Sequence, residues 1–137
     1  MKRNKQVVYL DMDGTIADLY NEQDWLSKLR NEQSGLFSSL KPMVSESRLL
    51  ELFPSNEYDI RILTMLPKGA SKEYEQVVTT EKNQWLDTYF PSITKRIFKK
   101  YGNNKNLKGS TRAVLIDDNE EIRNNFRGLA ISPMRLW

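Results

Sequence analysis

Neither cysteine nor histidine occurs among the 137 residues of this chain. The first absence excludes disulfides, thiolate nucleophiles and thiolate-bound zinc. The second removes the commonest general base near neutral pH and the commonest nitrogen ligand for metals. Acid–base chemistry therefore falls to carboxylates, lysine or tyrosine, and any metal must be hard and oxygen-bound. Long apolar runs are missing as well, so no segment reads as membrane-spanning and no membrane partner is expected. The apolar stretch after Gln6 is only Val7–Leu10, too short for a secretory leader, which makes a cytoplasmic protein the expectation. Excess charge is small, 21 Lys and Arg against 18 Asp and Glu, a net of +3. That is too little to argue for a nucleic-acid partner, without excluding one, and it suits a small anionic substrate. Length and an ordinary charged fraction fit one domain over residues 1–137 with a single core. A homo-oligomer stays open.

What is present begins with Asp11-Met12-Asp13-Gly14-Thr15, directly after Val7-Val8-Tyr9-Leu10. The apolar run has the length and β-branched content of a buried strand. Two carboxylates then emerge where the strand ends, and glycine lets the backbone turn away. A stable core has no use for two acids there. Like charges this close are costly to bury unless a cation sits between them.

Further apolar runs read as strands at Ile60–Leu63, more weakly at Ile97-Phe98, and at Ala113–Ile116 and Leu129–Ile131. Helical patterns lie between them. Leu49, Leu50, Leu52 and Phe53 crowd one helix face, closed by Pro54. From Ser71 a long helix turns Tyr74, Val77, Val78, Trp85, Leu86 and Tyr89 inward and stops near Pro91. Asp118-Asn119-Glu120-Glu121 reads as a helix start with Asp118 at the cap, followed by the apolar pair Ile122 and Phe126. Strands alternating with helices predict a three-layer, Rossmann-like α/β fold with a mostly parallel five-stranded sheet. Such sheets bind ligands outside the carboxyl ends of their strands, where the strand order reverses. Residues 1–6 read as a polar, loose end. Residues 18–42 belong to no strand. They read as a small helical insert over the acidic turn, with a short helix at Asp24-Trp25-Leu26 and Leu29 and a second turn at Leu36, Phe37 and Leu40.

Three more features carry chemistry. Thr64 follows the second strand, where a hydroxyl can donate to a phosphoryl oxygen or merely cap a turn. Asp117-Asp118 follow Val114-Leu115-Ile116, so a second strand delivers paired acids, 106 residues after Asp11. Asp11, one or both of Asp117 and Asp118, a backbone carbonyl and waters would complete a magnesium shell. Between these motifs, Lys105 and Lys108 are the candidates for a cation that holds a carboxylate and an anionic substrate together. Lys105 is favoured by its place in the loop. Lys99-Lys100 read as a phosphate patch or a solvated face.

The order D-x-D, Thr, Lys, D-D resembles the haloacid dehalogenase-like phosphohydrolases over essentially the whole chain. Within them, Asp11-Met12-Asp13-Gly14-Thr15-Ile16-Ala17-Asp18 is similar to the opening motif of the 5'(3')-deoxyribonucleotidases. Thr64 with Lys68 is similar to that family's T-S-P-x-K segment, with Pro67 displaced. Glu81–Phe90 is similar to its E-K-x-x-W-x-x-x-Y-F helix, and Val114–Asp118 to its D-D strand. The insert is shorter than that family's helical cap, and neither Lys105 nor Lys108 keeps the family's spacing to Asp117. The resemblance implies a phosphatase whose Asp11 attacks phosphorus and whose Asp13 carries the proton. It implies Mg²⁺ held by Asp11, Asp13 through its carbonyl, and Asp117 and Asp118. Thr64, Met65, Lys68 and Lys105 or Lys108 would hold the phosphate, with Trp25 over a nucleobase or simply packed on the core. A nucleoside monophosphate is the implied substrate. A sugar phosphate, a polynucleotide end and a non-catalytic binding module are the alternatives.

Overall fold

The computed structural model describes residues 4–137. The start of the predicted loose end, residues 1–3, lies outside the described residues, and Gln6 is already part of the first strand. Five strands form one sheet: β1 (Gln6–Leu10), β2 (Tyr58–Met65), β3 (Arg96–Lys99), β4 (Val114–Ile116) and β5 (Leu129–Ile131). The spatial order is β3-β2-β1-β4-β5, and every pairing is parallel, where a mostly parallel sheet was expected. β2 runs further than its apolar core suggests, so Thr64 and Met65 lie inside it rather than after it. Pairing with Phe98 and Lys99 of β3 extends it.

Alternation along the strands builds two cores. Val8, Leu10, Ile62 and Ile116 face one way, onto α2 (Glu46–Leu52), α3 (Lys72–Tyr89) and the insert. Tyr9, Leu63 and Leu115 face the other way, onto Ile122 of α4 (Glu120–Asn124), Phe126 and the loop residue Leu107. Three layers follow, a Rossmann-like arrangement. Of the expected inward residues, Leu50, Phe53 and Val77 are half-buried, and Leu52 and Tyr89 are more than a third exposed. Leu52 ends its helix, and Tyr89 leans on the Trp85 ring at 4.9 Å instead of entering the core. Among the described residues, no helix is long and apolar enough to cross a membrane.

The insert leaves and rejoins the chain at one point. Asp18 N–H donates to the Lys41 carbonyl at 2.9 Å, and Met43 N–H to the Ile16 carbonyl at 2.7 Å. It carries α1 (Trp25–Arg30) and a turn that buries Leu36, Phe37 and Leu40. Helix α3 holds it along its length. The Glu81 carboxylate accepts from the amides of Gly35 and Phe37 at 2.7 and 3.0 Å. Trp85 Nε1 donates to the Leu40 carbonyl at 2.8 Å, and the Tyr74 hydroxyl to the Gln33 carbonyl at 3.0 Å.

Candidate active site

In the strand order, β1 has β2 and β3 on one side and β4 and β5 on the other. The order reverses between β1 and β4, and the crevice at their carboxyl ends is where such sheets bind ligands. Asp11 follows β1 and Asp117 follows β4, so chain topology alone puts the two acids side by side. Backbone bonds fix the register: Asp11 N–H donates to the Ile116 carbonyl at 2.9 Å and Asp117 N–H to the Ile131 carbonyl at 3.2 Å.

Asp11 is buried and held on both oxygens. Lys105 Nζ donates to Oδ1 at 2.7 Å and the Thr15 hydroxyl to Oδ2 at 2.8 Å. The same ammonium donates to Asp117 Oδ2 at 2.7 Å. Asp117 Oδ1 accepts from the Asn119 amide at 2.9 Å. Asp118 does not cap the following helix. Asn119 does, accepting the Ile122 amide through Oδ1 at 3.0 Å. The expected cap is thus displaced by one residue, and Asp118 is left facing the site, 3.3 Å from the Thr15 hydroxyl.

One oxygen from each of Asp11, Asp117 and Asp118 lies within 4.8 Å of the others. With all three ionised, only one ammonium, that of Lys105, stands against them, and two negative charges are uncompensated. Burial, then the neighbouring Asp11 charge, pushes the Asp117 carboxyl up to about 6. Burial and the Asp11 carboxylate push Asp118 up to about 8. Asp11, although burial opposes its charge, is held below the usual carboxylate range by Lys105. Lys105 in turn stays protonated against its burial because Asp11 and Asp117 flank it. A set of hard oxygen donors short of two positive charges fits a divalent cation such as Mg²⁺.

Gly14 makes the turn possible. Its φ is +79°, and a Cβ there would stand 2.5 Å from both Asp118 Oδ2 and the Tyr20 ring. Gly14→Ala is expected to cost on the order of 1–3 kcal/mol from left-handed backbone strain alone, and more from the clash. A thermal melt checks this, and an unchanged melting temperature would remove the close approach as the reason for glycine.

The remaining expected residues separate into two groups. Thr64, Met65 and Trp25 line one cavity of about 500 Å³ together with Asp11, Asp13 and Lys105. Trp25, half-buried against the core, meets Tyr20 edge-on at 5.0 Å. Lys68 lines the outer rim, exposed, over the Tyr101 ring at 5.7 Å. Lys108 is exposed and does not line the cavity, whereas Lys105 is buried within it. Asparagines explain the difference. Asn106 donates to the Asn125 carbonyl at 2.8 Å and accepts from the Arg127 amide at 2.8 Å. Asn125 donates to the Asn103 carbonyl at 3.0 Å. The loop is thereby pinned around Lys105. Lys99, read as part of a phosphate patch, ties the same loop, donating to the Asn104 and Asn106 carbonyls at 3.2 and 3.0 Å. Lys100 pairs with Glu75 at 3.5 Å on the surface.

One residue in this site escaped the sequence reading. Lys82 of α3 is fully buried, and its Nζ lies 2.9 Å from Asp13 Oδ2, 2.7 Å from Thr64 Oγ1 and 3.1 Å from the Met65 carbonyl. The other Asp13 oxygen, Oδ1, is buried without a partner. The signal was there: Val78, Glu81, Lys82, Trp85 and Leu86 follow the spacing of a helix's inward stripe, and two of these positions are charged.

No family model matches the chain, and no curated protein matches it.

Proposed function

We propose that this protein is a magnesium-dependent phosphatase of the haloacid dehalogenase type, with the insert as a small cap and a nucleoside monophosphate as the preferred substrate. One observation carries the reading. A buried Lys105 bridges Asp11 and Asp117 at the reversal point of the sheet, with Asp118 alongside and Asp13 two residues on. A structural ion pair has no need of a third and fourth acid.

In this reading an Asp11 oxygen attacks phosphorus. The bond to the leaving oxygen breaks, and Asp13 gives that oxygen its proton. Asp13 then takes a proton from the water that attacks the phosphorus of the aspartyl-phosphate. Inorganic phosphate leaves, and Asp11 is free again. Asp13 Oδ1 has no hydrogen bond to give up in this exchange. Lysine has three donors. Lys105 uses two of them on carboxylates, leaving one for a phosphoryl oxygen, beside the Thr64 hydroxyl. Asp11, Asp117, Asp118 and the Asp13 carbonyl would hold Mg²⁺, whose charge screens the acids from the phosphate and stabilises the transition state.

Turnover of a phosphomonoester is expected to stop in EDTA and return with Mg²⁺. Ca²⁺ is expected to support it poorly, because its larger, looser shell misplaces the attacking oxygen. Full activity in chelator would sink the metal assignment.

The apolar wall formed by Trp25, Leu26, Leu29 and Phe37 supports a nucleobase on the leaving group. Stacking on an aromatic face is worth roughly 1–3 kcal/mol per base. Trp25→Ala is therefore expected to raise KM for nucleoside monophosphates and to leave a small phosphate ester nearly untouched. Equal losses on both substrates, with a lower melting temperature, would make Trp25 a packing residue and withdraw this support. Lys68 and Tyr101, both exposed at the rim, favour a second reading in which the ester is larger, such as a polynucleotide end. A panel of phosphate esters with Mg²⁺ decides between them.

A further inference from the structure

We infer that Lys82 is a positioning residue for proton transfer, fixing Asp13 and Thr64 in the orientations the reaction needs without itself touching substrate. The inference rests on the phosphatase reading above and adds to it a group outside the acidic cluster.

Three observations on the donors carry it. Lysine offers three N–H groups, and Lys82 has three acceptors within 3.1 Å: Asp13 Oδ2, Thr64 Oγ1 and the Met65 carbonyl. None is left for a ligand. Lys105, by contrast, uses two and keeps one. The two buried lysines of this crevice are therefore not equivalent, and only Lys105 has the capacity to bind phosphate.

The second observation is what Lys82 does to its partners. It occupies Asp13 Oδ2 and leaves Oδ1 bare, so the carboxyl group cannot rotate without breaking an ion pair at 2.9 Å. It also donates to Thr64 Oγ1. The hydroxyl hydrogen of Thr64 must then point elsewhere, which makes Thr64 a donor toward the cavity rather than an acceptor.

The third is how Lys82 is itself held. It sits beneath the Phe37 ring, 5.0 Å from the centroid, with no exposed surface. Its neighbour Glu81 grips the insert through the Gly35 and Phe37 amides. A buried ammonium with this much support is expensive to maintain for stability alone, since an apolar residue of similar volume often serves as well.

The test exploits the leaving group. An aryl phosphate leaves as a stable phenolate and needs little protonation, whereas an alkyl phosphate needs its proton. Single-turnover release of the alcohol reads the first chemical step. In Lys82→Met, that step is expected to slow by ~10²-fold or more for the alkyl ester, the lower range of general acid catalysis, and by less than ~5-fold for the aryl ester. In an Asp13→Asn background the same substitution is expected to add almost nothing, because the group it orients is already gone. Should the methionine variant fail to fold, Lys82→Gln, which keeps a donor in the cavity, carries the same comparison. Equal slowing of both esters, or an undiminished further loss on Asp13→Asn, would overturn the assignment and leave Lys82 a structural residue. A wild-type protein without Mg²⁺-dependent turnover of either ester would instead overturn the phosphatase reading itself.

Discussion

Asp11→Asn is expected to lower turnover at least ~10³-fold while the protein folds normally, the scale seen when a nucleophile is deleted. The substitution keeps the volume and removes the attacking charge. Its surroundings can adapt. An amide oxygen still accepts from Lys105, and the Thr15 hydroxyl, which donates to Asp11 Oδ2 at 2.8 Å, can turn to Asp118 Oδ1 at 3.3 Å. The melting temperature should change little by comparison, because the ion pair lost with Lys105 is set against relief of Asp117 and Asp118, both pushed up by the Asp11 charge. A large loss of activity with little change in melting temperature separates loss of chemistry from loss of fold. A folded Asp11→Asn protein with nearly wild-type kcat would show that no covalent step passes through this residue.

The second large effect is expected at Lys105. Its ammonium is buried and lies 2.7 Å from Asp11 and 2.7 Å from Asp117. Lys105→Ala leaves both acids without their cation in a site already short of positive charge. Breaking a buried pair in this way costs about 3–5 kcal/mol of stability. Loss of one donor to the transferring phosphoryl group should lower kcat by roughly 10²–10³-fold. Added Mg²⁺ should return part of the stability, since a bound cation neutralises the same carboxylates. Lys108→Ala, on the exposed side of the loop, should change stability by no more than about 0.5 kcal/mol and leave kcat near that of the wild type. Denaturant melts and steady-state kinetics on the two variants check the pair. A severe defect at Lys108 alone would reverse the assignment.

Helix α3 shows where sequence and structure part. Its apolar positions announce an inward stripe, and Tyr74, Val78, Trp85 and Leu86 are buried as the spacing requires. Glu81 and Lys82 stand on that same stripe. Read locally, charged residues on a long helix belong to its solvated face, so their burial was not apparent. Their partners lie far along the chain, 44 residues away at Phe37 for Glu81 and 69 residues away at Asp13 for Lys82. Only folding brings those partners close enough to offset the desolvation of a buried charge. Asp118 is a smaller case. The spacing puts the cap at Asp118, and the register of the turn gives the role to Asn119 instead.

By itself, the sequence determined the number and places of the strands and the acids at the ends of β1 and β4. It also determined the exclusion of thiol and imidazole chemistry. These are local matters: apolar runs, periodicity and composition act within a few residues. The tertiary structure decided which of two lysines enters the site, that Asp118 faces the site, and that a helix in the middle of the chain supplies the ammonium beside Asp13. Each of those depends on groups far apart in sequence meeting at the reversal of a parallel sheet. No pattern within one segment encodes that meeting, because its free energy exists only once both partners have left water together.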